Sequence, residues 1–417
     1  MARNQKRYRR GRRRKRGFAS WSIGKKIASI LAGVFALVAL TGGVILASKL
    51  SKIEKIEIDA DNLNISEEAK EQRERGTGYF NVALFGVDSR DGTMGEGALS
   101  DTIMIASLNR ETLEVKIASI YRDTLLEQSD GTYNKANSAY AFGGPEAAVA
   151  MLNKNFDMDI DHYVTVNWEA LIHMIDAVGG VEIDVQPEEI NLITGYATEI
   201  IKSTGIDSMG VFEAGPQVLN GVQATAYCRI RYTTGDDFRR TERQREVLTK
   251  VIEKLQNVKL SQLNKIIDKV FPLVATNFTI GEIVEYAKDA FDYQLLETAG
   301  FPSDTTFATI SGVGSVVIPS TLESNVIKLH QFLFGDDGYT PSSKVSTISG
   351  NISYKATDTQ TESVESDDVY YYDDSNSYDS GYDDNSYDDE YNNYDYSYDD
   401  NSGVGESEDY YDDNSVY

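Results

Sequence analysis

Five arginines and four aspartates recur in short polar triplets along the chain. Arg90 follows Asp88-Ser89, and Arg122 lies between Tyr121 and Asp123. Arg229 and Arg231 flank Ile230, Arg240 comes three residues after Asp237, and Asp101 sits between Ser100 and Thr102. Arginine presents a planar fork of donors that suits phosphate oxygens two at a time. Carboxylates beside arginines and phosphates commonly hold magnesium, with the substrate's own oxygens completing the shell. Such a set points to phosphoryl transfer on a polyanionic group such as a pyrophosphate. The chain has no Walker glycine-lysine loop and no GxGxxG, so nucleotide-driven chemistry is unsupported. The single cysteine, Cys228, and three scattered histidines (His162, His173, His330) exclude an intrachain disulfide framework and argue against a zinc centre. Cys228 is expected to face the core, which leaves it no role as a nucleophile.

These side chains need a scaffold that brings them together. Asn81–Val87 is almost wholly apolar and fits a buried strand ending on Asp88-Ser89-Arg90, before a glycine-rich loop over 91–98. Thr102–Leu108 and Val115–Ile120 are two more strands, and the six-residue link NRETLE makes them an antiparallel hairpin. The first of these strands starts and the second ends at the same edge, so Ser100-Asp101-Thr102 and Tyr121-Arg122-Asp123 should face each other. An antiparallel Asn81–Val87 alongside would add Asp88. Pro145 after Gly143-Gly144 marks a helix start, Trp168–Val178 a helix closed by Gly179-Gly180, and Val181–Val185 a strand.

Ala226–Tyr232 alternates, and as a strand it would put Tyr227, Arg229 and Arg231 on one face. The two arginines either share an anion there or form a solvated face. After the loop 233–238 a helix is expected from about Arg239, with Val247, Leu248, Val251, Ile252 and Leu255 as its apolar stripe. Arg240 and Gln244 extend that stripe back to the helix N-terminus. The macrodipole disfavours an arginine at this end, but an anion held between Arg240 and the free N–H groups would explain it. Surface pairs of Arg240 with Asp237, or of Arg243 with Glu246, are the alternative. Helix and strand signals mix along one compact chain, so the expected class is an α/β sandwich.

The chain has 417 residues, with 40 Lys+Arg against 66 Asp+Glu and a net charge of −26. The charge is segregated: residues 1–26 carry 12 bases and no acid, and residues 356–417 carry 21 acids and no base. Ile27–Ser48 contains no charged side chain. Its span of ~33 Å would cross a hydrocarbon core of ~30 Å, with the basic side cytoplasmic. The expected organisation is a basic cytoplasmic tail (1–26), a transmembrane helix (27–48), an extracellular stem (49–77), a folded domain (78–349) and an acidic Asp/Tyr/Ser-rich tail (350–417). That tail has almost no aliphatic side chains and cannot bury enough surface to offset chain entropy.

The ordered motifs NVALFGVDSR, SDT, YRD, TYNKANSAYAFGG, LNGVQATAYCRIRY and DFRRTERQ resemble the LytR-CpsA-Psr family of bacterial, membrane-anchored envelope enzymes. The resemblance is strong over about 78–255 and weaker to about 345. It implies an αβα sandwich with a central mixed β-sheet, an apolar pocket for a lipid tail, and one preceding transmembrane helix. It also implies transfer of a glycopolymer from a polyprenyl-pyrophosphate carrier to peptidoglycan. By similarity Asp88 and Asp101 would hold magnesium (or manganese). Arg122, Arg229, Arg231, Arg240 and Gln244 would grip the pyrophosphate, with Arg90 as a further contact. Asp237 would serve on the acceptor side as a base or an orienter of Arg240, with Asp123 as a second candidate. The chain departs from the family pattern at Tyr121, where proline is usual, and at Asp236 and Arg239, where glycines are common. A non-enzymatic lipid-binding envelope regulator and a pyrophosphate hydrolase are the competing readings. No nucleic-acid partner is expected.

Overall fold

The computed structural model describes residues 48–67, 70, 78–89, 93–231, 236–258 and 260–360, with backbone alone at 236–237, 260–261, 263 and 358–360. The basic segment 1–26, nearly all of the apolar segment 27–48, Arg90, the Asp237 side chain and the tail from 361 lie outside the described residues. No helix among the described residues is long and apolar enough to cross a membrane.

The strands are β1 (Glu54–Lys55), β2 (Tyr79–Val87), β3 (Ser100–Asn109), β4 (Glu114–Ile120), β5 (Leu125–Glu127), β6 (Tyr133–Lys135), β7 (His162–Asn167), β8 (Val181–Val185), β9 (Gly215–Leu219), β10 (Val274–Thr276), β11 (Gln294–Phe301), β12 (Thr305–Ile310) and β13 (Gly314–Pro319). The helices are α1 (Ser138–Phe156), α2 (Trp168–Ala177), α3 (Glu189–Thr204), α4 (Gly221–Arg229), α5 (Asp236–Leu255), α6 (Leu260–Val270), α7 (Ile280–Ala287), α8 (Leu322–Phe334) and α9 (Ser343–Gln360).

The fold is mixed α/β around a mixed sheet in the order β1-β10-β7-β2-β3-β4-β11. β2, β3 and β4 form an antiparallel meander, while β7 runs parallel to β2 and β11 parallel to β4. The pleat sends Ala83, Phe85, Ile103, Ile105, Ala118, Ile120 and Tyr163 into one core with side chains of α1, α8 and α9. At the β7–β10 edge, Val166 and Val274 lie with Ala170, Val178, Ile266 and Val270 in a smaller cluster built on α2 and α6. A third cluster joins α2, α3, α4, α5 and the β8–β9 hairpin.

The strands expected at 81–87, 102–108, 115–120 and 181–185, the hairpin between the second and third, and the helix at 168–178 are present. Helix α1 breaks at Gly143-Gly144, where Gly144 takes a left-handed φ of 60°, and Pro145 begins its second half. Gly179 and Gly180, with φ of 82° and 81°, close α2 before β8.

Three boundaries differ from the sequence reading. Residues 49–77 were expected as a stem, but their described part packs on the domain. Leu50, Ile53 and Leu63 are buried, β1 extends the sheet beside β10, and Lys49 and Lys52 both reach Asp268 at 2.8 Å. At the other end α9 runs to Gln360, beyond the expected limit at 349, and buries Ile352 in the main core alongside Val345 and Ile348. The third difference is 226–229, which belongs to helix α4 rather than a strand. Asn220 caps that helix and Gln223 returns the bond, a capping box upstream of the alternating stretch. Ala226, Tyr227 and Cys228 are all buried, so the apparent alternation marks no face.

Candidate active site

The β2–β3–β4 meander builds the site at one sheet edge. Val87 pairs with Ser100 after a register shift, and the Asp88 N–H donates to the Leu99 carbonyl at 3.3 Å. Asp88 and Asp101 therefore leave adjacent strands side by side. β4 ends antiparallel to the start of β3, so Arg122 reaches back to Asp101, Nη1 to Oδ1 at 2.7 Å.

Helix α5 supplies the other half. Arg240 Nη2 lies 2.8 Å from the second oxygen, Asp101 Oδ2, with the Arg240 side chain 3% exposed and that of Asp101 12%. Two guanidinium groups thus close on one carboxylate. Burial works against the charge on Asp101, but Arg240, Arg122 and Arg231 outweigh it and hold the carboxyl well below its usual range. Arg231 is thereby within electrostatic reach of the cluster, just past the end of α4. Gln244 lies one turn beyond Arg240 and is buried, and its Nε2 finds no hydrogen-bond partner among the described residues. A buried donor without a partner is costly, and beside a cluster of arginines it suits an incoming anion.

Asp123 faces Arg122 Nε at 3.4 Å and Lys135 Nζ at 3.1 Å. Lys135, on β6, is a cation that sequence reasoning passed over, although it stands in the quoted TYNKANSAYAFGG stretch. Arg243, expected as a surface partner of Glu246, is buried instead. Its Nη2 meets Glu189 Oε1 at 2.9 Å, with both side chains 2% exposed, and this pair locks α5 to α3. Glu246 instead accepts from Tyr227 at 2.9 Å.

Arg229 has other neighbours. Its guanidinium lies over the rings of Trp168 and Tyr196, at 5.9 and 5.3 Å, and 3.4 Å from Glu199. It closes α4, and the chain then turns through an extended Ile230, so Arg229 and Arg231 do not share a strand face. Burial pushes the Cys228 thiol up to about 12, in keeping with its expected core position. Asp237 stands in the first turn of α5, and only its backbone is described.

The donor set can be tested against a metal. Among the described residues no three of His, Cys, Asp and Glu converge as a metal cluster. Asp88 and Asp101 offer two carboxylates at one edge, and Asp101 stays ionised. Two carboxylates completed by phosphate oxygens are a donor set that magnesium commonly takes, and here both Asp101 oxygens are also engaged, Oδ1 by Arg122 and Oδ2 by Arg240.

The cluster is thus built on a three-stranded meander and the first turns of one long helix. The sequence matches the LytR_cpsA_psr family over residues 44–319, and the chain belongs to that family. It is 31% identical over 279 residues to biofilm regulatory protein A of Streptococcus mutans, covering 62% of this chain and 64% of that protein, a little under two thirds of its length. It is 29% identical over 272 residues to the polyisoprenyl-teichoic acid–peptidoglycan teichoic acid transferase TagU of Enterococcus faecalis, covering 64% of this chain and 84% of that protein. A solved structure from Streptococcus agalactiae superposes with a TM-score of 0.55 at 26% identity, covering 66% of this chain and 95% of that one.

Proposed function

We propose that the protein is a membrane-anchored phosphotransferase that moves a glycopolymer from a polyprenyl-pyrophosphate carrier to peptidoglycan. The observation that carries this reading is the clamp of Arg122 and Arg240 on Asp101, with Arg231 in range and Gln244 one turn behind. Such a cluster suits a pyrophosphate, and the names of TagU and its relatives specify a polyisoprenyl-linked donor and a peptidoglycan acceptor.

In this reading an acceptor hydroxyl attacks the phosphorus bonded to the polymer. The bond from that phosphorus to the bridging oxygen breaks, and polyprenyl phosphate leaves. Arg122, Arg231 and Arg240 hold the non-bridging oxygens and stabilise charge as it develops, largely by position and electrostatics. Gln244 donates into the same group, and Arg90 and Arg229 add outer contacts. Asp237 takes the hydroxyl proton or orients Arg240. Asp123 lies between Arg122 and Lys135 and fixes the Arg122 fork. Asp88 and Asp101 would hold magnesium, which supplies compact positive charge to the phosphate oxygens. The anchor is the apolar segment 27–48, which keeps residues 1–26 cytoplasmic and the domain outside.

The name of the Streptococcus mutans relative favours a second reading, a non-enzymatic envelope regulator. One assay separates the two. The purified chain in detergent is given lipid-linked polymer, peptidoglycan and magnesium, and polymer bound to peptidoglycan is counted. Transfer that depends on Arg122 supports the enzyme. Lipid that binds and never turns over supports the regulator.

A further inference from the structure

Three aromatic side chains form a ladder leading away from the Asp101 cluster. The Tyr121 ring, directly before Arg122, meets Phe238 edge to face with centroids 4.3 Å apart. Phe238, directly after Asp237, meets Phe307 edge to face at 5.6 Å. The ladder climbs from inside to outside: Tyr121 is buried, Phe238 half-buried, and Phe307 63% exposed.

A second route ties Phe307 to the same place. Phe307 on β12 pairs with Val317 on β13, and the Val317 N–H donates to the Asp123 carbonyl at 2.9 Å. The exposed ring is thus tied to the Asp123 backbone across one intervening strand, β13, as well as through ring contacts. The inner end is also built in. Gly300 on β11 leaves room for Tyr121, since a Cβ there would stand 2.3 Å from the Tyr121 hydroxyl and 3.1 Å from Arg245 Nη1. That Arg245 nitrogen is buried and has no hydrogen-bond partner among the described residues.

An aromatic ring left in water beside a phosphate-gripping cluster has a cost that a ligand can remove. We propose that Tyr121, Phe238 and Phe307 form a stacking subsite for a neutral, N-acetylated sugar ring of the acceptor glycan. Apolar faces of such rings cover aromatic surfaces, and their hydroxyls then lie near Asp123 and the reacting phosphorus. The charge pattern selects this occupant over a polyol-phosphate segment of the carried polymer. Arg239, the exposed cation next to Phe238, is already engaged by Glu242 at 3.0 Å, so the outer end of the ladder offers a ring in place of a phosphate partner. The proposal rests on the transferase reading for its acceptor and on the ring geometry for its position.

The full chain in detergent is titrated with a tetramer of N-acetylglucosamine and, separately, with a glycerol-phosphate oligomer, and binding is followed by ligand-detected NMR. Phe307→Ala is expected to weaken the sugar tetramer about tenfold, Phe307→Trp to retain it, and neither to alter the glycerol-phosphate oligomer. In the transfer assay Phe307→Ala should raise KM for peptidoglycan and leave kcat within about twofold, the signature of lost uniform binding. The subsite is overturned if the parent does not bind the tetramer, if Phe307→Ala binds it as well as the parent does, or if Phe307 governs only the glycerol-phosphate oligomer. Tetramer binding that depends on Phe307, in a chain that transfers nothing, would instead sink the transferase reading and leave the sugar site standing.

Discussion

Asp101 is the residue on which the arginines converge, and its chemistry sets a pH expectation. Its carboxyl is held below the usual range in the folded protein, by arginine charges that outweigh the opposing effect of burial. A depressed carboxyl stabilises the fold at pH above its unfolded value of about 3.9 and loses that contribution as pH falls through the lower folded value. Mild acid near pH 5 should therefore leave Asp101 ionised, and a carboxyl NMR titration should show no midpoint for it above pH 3. A midpoint at 4 or higher would mean the arginine clamp is absent in solution. Asp101→Asn keeps the shape and removes the charge, leaving the buried Arg240 and the half-buried Arg122 guanidinium groups facing each other. Transfer should fall on the order of 10²–10³-fold, and Arg122→Lys should fall similarly because the ammonium cannot reproduce the fork. At this scale the sequence was largely readable: triplets flanking strand ends announced Asp88, Asp101, Arg122 and Asp123. Lys135 and Arg243 were not. Lys135 has no charged neighbour within two residues, so only the folded chain brings it to Asp123. Arg243 sits among alternating charges in DFRRTERQ, where nothing local marks the one arginine whose partner, Glu189, is 54 residues away.

At the scale of elements, helix α5 positions Arg240 and Gln244, and the Arg243–Glu189 pair positions α5. Removing one member of a buried pair leaves the other uncompensated and costs about 3–5 kcal/mol. Glu189→Ala should therefore lower Tm by several degrees, with an unchanged Tm contradicting the lock. Its transfer rate should also drop, though Glu189 touches no substrate. A separate element responds to pH. His162 joins β7 to α7, with Nδ1 2.6 Å from Asp161 and Nε2 3.3 Å from Glu282. Burial lowers its affinity for a proton, but the Asp161 hydrogen bond and the Asp161 and Glu282 charges outweigh this and raise its pKa. A raised histidine stabilises below its unfolded value of about 6.5 and loses that contribution as pH rises through the folded value. Amide exchange over Ile280–Ala287 should quicken as pH rises past neutrality, after correction for intrinsic rates, and His162→Gln should abolish the extra increase. Elements were legible where one face is apolar throughout, as in β2 and β3. The stretch 226–232 misled because its alternation fits a strand, while the capping box at Asn220 and Gln223 that nucleates α4 lies upstream. The correction moves Arg229 onto Trp168 and Tyr196 and leaves Arg231 nearer to Asp101.

For the whole molecule, the charge is segregated along the chain. The acidic segment begins inside α9, whose Val345, Ile348 and Ile352 complete the main core. A chain ending at Gln360 should keep the parent Tm and transfer rate, whereas one ending at Ser342 should melt lower, as scanning calorimetry would show. The extent of the domain was the least legible feature, because β1 is only two residues long and exposed in both, and short polar strands carry no pattern. The average charge of −26 would argue against a polyanionic ligand, yet the site rests on a local surplus of arginine.

The most direct test of that site compares two neighbours on one helix. Arg240 is buried against Asp101, and Arg239 is exposed and paired with Glu242. Transfer of lipid-linked polymer to peptidoglycan should fall on the order of 10²–10³-fold in Arg240→Ala and stay within about twofold of the parent in Arg239→Ala. Equal rates in the two variants would contradict the assignment of the transferase site to the Asp101 cluster.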